Sequence, residues 1–220
     1  MEHDFWQARW KNEQLGFHLP FVHPILKRNL AGFELVADAR IFLPLCGKTL
    51  DIGWLLAQGY RVIGAELSEI AVAQLFEDLG VEPTTAKWAG GQCWRHGKLT
   101  VFQGDIFALT AAELGQVDLV YDRAALVALP PAMRPAYAER VLALSGAAPQ
   151  LLITFEYNPV EKDGPPFPVL PEEIERHYAA RHVITELSRK DVLQESLNFR
   201  DAGVTRFVEV AWRLSPKRAS

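Results

Sequence analysis

The sequence predicts an open α/β sheet with mostly parallel strands. Three observations carry that prediction. Short apolar runs without helical period alternate with amphipathic helix patterns along the chain. The first run ends in a tight turn at Gly47 that opens a helix, and an acid, Glu66, closes the second run roughly 20 residues later, the layout of half a nucleotide-binding unit. The composition of the 220 residues, 49% apolar and 23% charged, suits one globular domain with a sizeable core.

The elements follow in order. Trp6 and Trp10 stand one helical turn apart, so one face carries both rings. The segment breaks at Gly16-Phe17-His18-Leu19-Pro20, and a short helix is predicted over 24–30 with Pro24 at its first position. Core packing and a flap closing over a ligand are both open for this aromatic cluster. Residues 41–45 read as a strand buried on both faces. A helix over 49–58 ends at Gly59, and 61–66 is the second strand. Ser68 caps a helix over 68–79, whose Val72, Leu75, Phe76 and Leu79 form a sheet-facing stripe. Residues 82–97 suggest a hairpin or excursion before a strand at 99–103. A strand at 117–121 ends in Asp122-Arg123. Pro130-Pro131 introduces a helix that Gly146 closes, and 151–156 is a further strand. A proline-rich loop leads to a helix at Pro171, with Glu172 and Glu173 in its first turn. Strands at 183–187 and 207–214 finish the chain. The expected organisation is one domain over 1–220: an aromatic cap over 1–35, the α/β core over 36–214 and a frayed tail over 215–220.

The net charge of −4 argues against a nucleic-acid partner. The two cysteines, Cys46 and Cys93, form no zinc or disulfide pattern, and the histidines show no metal-ligand spacing. The N-terminus lacks a signal-peptide layout and no apolar run reaches membrane-spanning length, so the expectation is a cytoplasmic protein with no membrane partner. A monomer is expected.

The turn Leu45-Cys46-Gly47-Lys48-Thr49 contains Gly-Lys-Thr, but Phe42 stands where a phosphate loop needs its first glycine. The three glycines that would seat a pyrophosphate are also missing. An adenosine-bearing ligand without phosphates needs neither, and S-adenosylmethionine is one. Its amino-acid tail would sit near Gly47, and Glu66 would grip the ribose hydroxyls; the plain alternative for Glu66 is a solvated acid at a strand end. Asp105, beside Ile106, is a candidate for the adenine; a turn-forming Gly-Asp pair is the equal alternative. Arg123 sits at the crevice position of an open α/β sheet, where it would order the cofactor and offer charge to an anionic acceptor; a surface ion pair is the alternative.

W-x-x-x-W, G-F-H, F-L-P-L-C-G-K, G-A-E-L-S, Asp-Arg, G-P-P-F and the closing V-E-V-A-W-R-L together resemble the bacterial type of thiopurine S-methyltransferase. The resemblance implies a Rossmann-like, seven-stranded class I methyltransferase sheet with an antiparallel last strand and helices on both faces. It implies S-adenosylmethionine as methyl donor, held by Trp10, Leu45, Glu66, Asp105 with Ile106, and Arg123. It implies acceptor contacts at Phe17 and Arg123, and a second substrate arginine near the final strand, for which Arg200 is the candidate. The family usually reads Asp-Arg-Gly-Ala-Leu; here the glycine position is Ala124. The implied activity is methylation of aromatic or heterocyclic thiols such as thiopurines, by in-line transfer to a thiolate with no dedicated base. Methylation of selenium or tellurium compounds is an alternative role. A nicotinamide-dependent oxidoreductase and a non-catalytic nucleotide-binding protein are alternatives from other classes.

Overall fold

The structure is a computed structural model that describes residues 3–12 and 18–217. The fold is α/β, with mostly parallel strands and antiparallel edges, and the described residues form nine strands rather than the seven expected. The chain divides into two compact units, Met1–Tyr121 with Leu144–Gly146, and Asp122–Ala143 with Ala147–Ser220.

The first unit begins with α1 (His3–Lys11) and α2 (Pro24–Asn29). Pro24 opens α2, where its missing N–H costs nothing, and the His23 ring accepts from the Ile25 N–H as N-cap. Then come β1 (Arg40–Pro44), α3 (Leu50–Ala57), β2 (Arg61–Glu66) and α4 (Glu69–Asp78). The side chains of Thr49 and Ser68 cap the two helices. The hairpin β3 (Thr84–Trp88) and β4 (Gly91–His96) precedes β5 (Leu99–Gly104), and α5 (Ala111–Leu114) precedes β6 (Leu119–Asp122). β2 pairs in parallel with β1 and β5, and β1 with β6. β1, β2 and β6 bury nearly every residue, which is why their centres read as unbroken apolar runs; β5 leaves Thr100 and Gln103 half-buried.

The hairpin accounts for the two additional strands. β4 runs antiparallel to β5, and β3 is the edge. Trp94 stacks on Phe76 of α4 with ring centroids 6.0 Å apart, and Trp88 meets Phe102 edge-on at 5.6 Å. At the tip, a Cβ on Gly91 would meet the Gln103 carbonyl oxygen at 2.2 Å, and one on Gly104 would meet that of Gly90 at the same distance. The glycines therefore let two backbones touch at the end of β5.

The second unit holds α6 (Arg134–Ser145), β7 (Gln150–Glu156), α7 (Pro171–Tyr178), β8 (His182–Asp191), α8 (Leu197–Asp201) and β9 (Val208–Pro216); the last residues of α6 count with the first unit. β9, the last strand, runs antiparallel to both β7 and β8. β8 continues four residues past its expected end; a register irregularity between Glu186 and Ser188 and an exposed, charged face hide that continuation in the sequence. β9 likewise extends to Pro216, which pairs with His182. The Pro-rich loop is tied down within this unit. The Phe167 N–H donates to the Val127 carbonyl at 2.7 Å, and the Tyr157 hydroxyl donates to that of Pro166 at 2.7 Å. The fully buried Arg134 bonds the carbonyls of Leu129 and Pro168 and pairs with Glu173 at 2.8 Å.

Candidate cofactor site and acceptor arginine

The site in the first unit is built on the carboxyl ends of β1 and β2. Their register pairs Pro44 with Ala65, so the Leu45–Thr49 turn and Glu66 emerge side by side. The Cys46 N–H donates to the Ala65 carbonyl at 3.0 Å, and the Gly47 N–H donates to Glu66 Oε2 at 2.7 Å. The Ser68 N–H donates to Glu66 Oε1 at 2.8 Å. Glu66 thus fastens the turn after β1 to the turn after β2.

The turn is tight. Leu45 and Gly47 both adopt left-handed backbone, at φ 47° and 54°. Glycine does so freely; leucine does not, and strain of this kind collects at ligand-holding turns. Cys46 packs against the backbone of β2: a Cβ on Gly64 would stand 2.7 Å from its Sγ. Burial pushes the Cys46 thiol well up, with the Glu66 charge adding to it, so this cysteine is a packed small hydrophobe.

Glu66 is 6% exposed, and burial raises its carboxyl above the usual range against the pull of the Ser68 and Gly47 N–H groups. An ionised carboxylate offers about four acceptor positions, and two are used, one on each oxygen. The remaining pair suits a donor with two adjacent hydroxyls. Lys48, the lysine of Gly-Lys-Thr, pairs with Asp78 at the end of α4 at 3.1 Å and is committed to that contact. The donor set therefore fits an adenosine ribose and offers little to a chain of phosphates.

Asp105 and Ile106 follow β5, the parallel neighbour of β2. Ile106 is buried and Asp105 exposed. Asp105 Oδ1 accepts from the Phe107 N–H at 2.9 Å, so the acid shapes its own loop, as the turn alternative expects. Among the described residues, its second oxygen makes no such bond. Trp10 lies on α1 and is 3% exposed, with Trp6 a turn earlier and partly buried. Phe17 lies outside the described residues.

Arg123 belongs to the second unit and is partly buried. Among the described residues, no acid or carbonyl engages its guanidinium. The preceding Asp122 is fully buried and turned inward: Oδ1 accepts from the Leu126 N–H at 3.1 Å and Oδ2 from the Tyr137 hydroxyl at 2.8 Å. Burial pushes its carboxyl up to about 6, with the two donors pulling the other way. Ala124, at the family's glycine position, is left-handed at φ 58°. Arg200 is on α8, exposed, with Asp201 at 3.9 Å; its neighbour Phe199 is the buried residue of that helix, stacked on Phe207 at 3.7 Å. Sequence reasoning singled out Asp122 only as the partner of Arg123 and missed Asp51, which the structure buries in the first turn of α3. No group of three or more His, Cys, Asp or Glu side chains among the described residues forms a metal site, and no described helix is long and apolar enough to cross a membrane.

The profile of the thiopurine S-methyltransferase family matches residues 1–217. The chain belongs to the thiopurine S-methyltransferase family. It is 49% identical over 193 residues to the thiopurine S-methyltransferase of Xanthobacter autotrophicus, covering 87% of this chain and 91% of that one. It is 46% identical over 215 residues to the enzyme of the same name from Pseudomonas aeruginosa, covering 97% and 99%. In fold it is similar to a Burkholderia thailandensis 1,6-didemethyltoxoflavin-N1-methyltransferase solved with S-adenosylhomocysteine, with a TM-score of 0.60, 17% identity and coverage of 97% and 87%. The protein is accordingly a methyltransferase that uses S-adenosylmethionine.

Proposed function

We propose that the protein methylates the sulfur of aromatic or heterocyclic thiols, thiopurines among them, by in-line transfer to a thiolate. The observation that carries this reading is Arg123, a cation with no acidic partner among the described residues, held on a turn that a buried acid fixes from below. S-adenosylmethionine, when bound, supplies an electrophilic methyl on a sulfonium. Glu66 holds its ribose and the Gly47 turn its amino-acid tail; Leu45 and Trp10, Ile106 with Asp105, and Arg123 are the other cofactor contacts.

Arg123 serves the acceptor. A guanidinium favours the ionised form of a nearby thiol. Aromatic thiols ionise more readily than alkyl thiols, so charge and orientation suffice without a base. The chief gain is alignment of acceptor sulfur with the methyl, and a water-poor surrounding helps a reaction in which opposite charges cancel. Phe17 and Arg200 are assigned acceptor contacts on resemblance alone.

Labelled S-adenosylmethionine incubated with a panel of thiols, selenols, phenols and amines tests the reading. Thiopurines and thiophenols should carry label, with alkyl thiols slower. Label on oxygen or nitrogen acceptors only would overturn it. Thermal shift supplies a check on the cofactor, since a ligand that binds the native state raises the melting temperature: S-adenosylhomocysteine should raise it, and NAD should not.

A further inference from the structure

A buried acid outside the site described above joins three segments of the first unit. Asp51, 1% exposed, lies in the first turn of α3. Its Oδ1 accepts from the His23 N–H at 2.7 Å, and its Oδ2 accepts from the Tyr121 hydroxyl at 3.0 Å. His23 is 4% exposed and ends the N-terminal segment that leads into α2; Tyr121, 2% exposed, lies on β6. A buried carboxylate is costly unless donors satisfy it. No cation pairs with Asp51 among the described residues. Its stabilisation comes from these two donors and from the partial positive charge of the helix start. An apolar side chain there would fill the space without that cost, so the acid is explained by what it fixes in place.

What it fixes is the cofactor turn. The Asp51 N–H donates to Thr49 Oγ1 at 3.4 Å, and the Thr49 N–H donates to the Cys46 carbonyl at 3.5 Å. The next residue, Gly47, is the one whose N–H meets Glu66. A continuous run of hydrogen bonds and backbone therefore leads from His23 and Tyr121 through Asp51 to Glu66. We propose that Asp51 is a positioning residue for S-adenosylmethionine: it pins the start of α3 between the N-terminal segment and β6, and so holds the Leu45–Thr49 turn in the shape that presents Gly47 to Glu66. The proposal rests on the assignment of that turn to the cofactor.

The test measures S-adenosylhomocysteine binding by calorimetry, steady-state kinetics and melting temperature for Asp51→Ala, Asp51→Asn and Tyr121→Phe in the full chain. Losing a buried acceptor with two donors should weaken S-adenosylhomocysteine binding about tenfold or more in Asp51→Ala. The KM for S-adenosylmethionine should rise with it, while kcat at saturating cofactor and the KM for the thiol change about twofold or less. Asp51→Asn, which keeps an acceptor for the His23 N–H, should recover most of the affinity, and Tyr121→Phe should lose about threefold. Wild-type affinity in the variants together with a lowered melting temperature would overturn the proposal and leave Asp51 a purely structural residue. Should Asp51→Ala fail to fold, the milder pair decides by the same criterion. If the wild-type protein itself binds no S-adenosylhomocysteine, the assignment of the turn to the cofactor has failed instead, before any variant is compared.

Discussion

Two turns of this molecule use the same parts to different ends. The Leu45–Glu66 region and the Asp122–Ala124 turn each follow a buried strand. Each contains a non-glycine residue in left-handed backbone, Leu45 at φ 47° and Ala124 at φ 58°. Each is fastened by a buried carboxylate that accepts two hydrogen bonds, one on each oxygen. The difference lies in what remains. Glu66 meets two backbone N–H groups, keeps a trace of exposure and retains acceptor capacity for a diol. Asp122 has no exposure, and one of its two donors is the hydroxyl of Tyr137 on α6, so each oxygen is engaged inside the fold, while the neighbouring Arg123 is only partly buried. An acid at the end of a buried strand is thus ambiguous until its partners are known: one such acid keeps acceptor capacity open, the other is a brace.

The comparison can be broken most forcefully at Arg123. Arg123→Ala should lower thiol methylation by about 100-fold or more, the scale of losing one charged group that acts on a reacting centre. S-adenosylhomocysteine affinity should fall much less, and the melting temperature should hold within the small range of surface substitutions. Arg123→Lys should recover part of the rate, because a point charge replaces a planar fork. Turnover at the wild-type rate in Arg123→Ala would show that the brace supports nothing catalytic.

Glu66 comes next. Glu66→Gln keeps one acceptor but turns an amide NH2 toward either the Gly47 or the Ser68 N–H. S-adenosylhomocysteine binding should weaken by about 2 kcal/mol, or roughly thirtyfold. Calorimetry at wild-type affinity would place the ribose grip elsewhere. The same substitution at the other turn predicts a different phenotype. Asp122→Asn should leave cofactor affinity near wild type and change the pH dependence of stability. The folded-state value of about 6 lies above the unfolded carboxylate value of about 4, so the native state holds this proton more tightly. Stability contributed by the protonated form is complete below about pH 4 and is lost as pH rises through about 6, a cost of roughly 3 kcal/mol once the buried carboxylate is ionised. Relative to wild type, Asp122→Asn should therefore gain melting temperature between pH 4 and 7. A constant difference across that range would refute the burial argument.

These contrasts also show what was legible in the sequence. β2, α3 and α4 follow from apolar runs, from Ser68 as a cap and from Gly59 as a stop, all local signals. The hairpin was visible as a glycine- and tryptophan-rich excursion. Its addition to the strand count was not, because β3 is almost wholly exposed and β4 largely half-buried, so neither carries a buried alternation. The spacing of Gly47 and Glu66 places both at the ends of the first two strands; the hydrogen bond between them was not predicted. Nor was the inward turn of Asp122, since it depends on Tyr137, fifteen residues away on another element. Asp51 was invisible for the same reason: its partners are 28 and 70 residues distant. Tertiary contacts choose which strand-end acids are braces, and no local pattern records them.

The smallest expected effect separates the two turns by their strain. A left-handed conformation costs a residue with a Cβ about 1–2 kcal/mol. Glycine removes that cost but gains about 0.5–1 kcal/mol of unfolded-state entropy to lose. Ala124→Gly sacrifices only a methyl, so a net gain of somewhat under 1 kcal/mol should remain, seen as a rise of about 2 °C in melting temperature for a chain of this length. Leu45→Gly relieves the same kind of strain but gives up a partly buried leucine side chain worth about 1–2 kcal/mol, so its melting temperature should stay level or fall. If Leu45 also contacts the cofactor, S-adenosylhomocysteine affinity should drop in Leu45→Gly and stay unchanged in Ala124→Gly. Equal behaviour of the two variants in both measurements would mean that the turns differ in neither strain nor role.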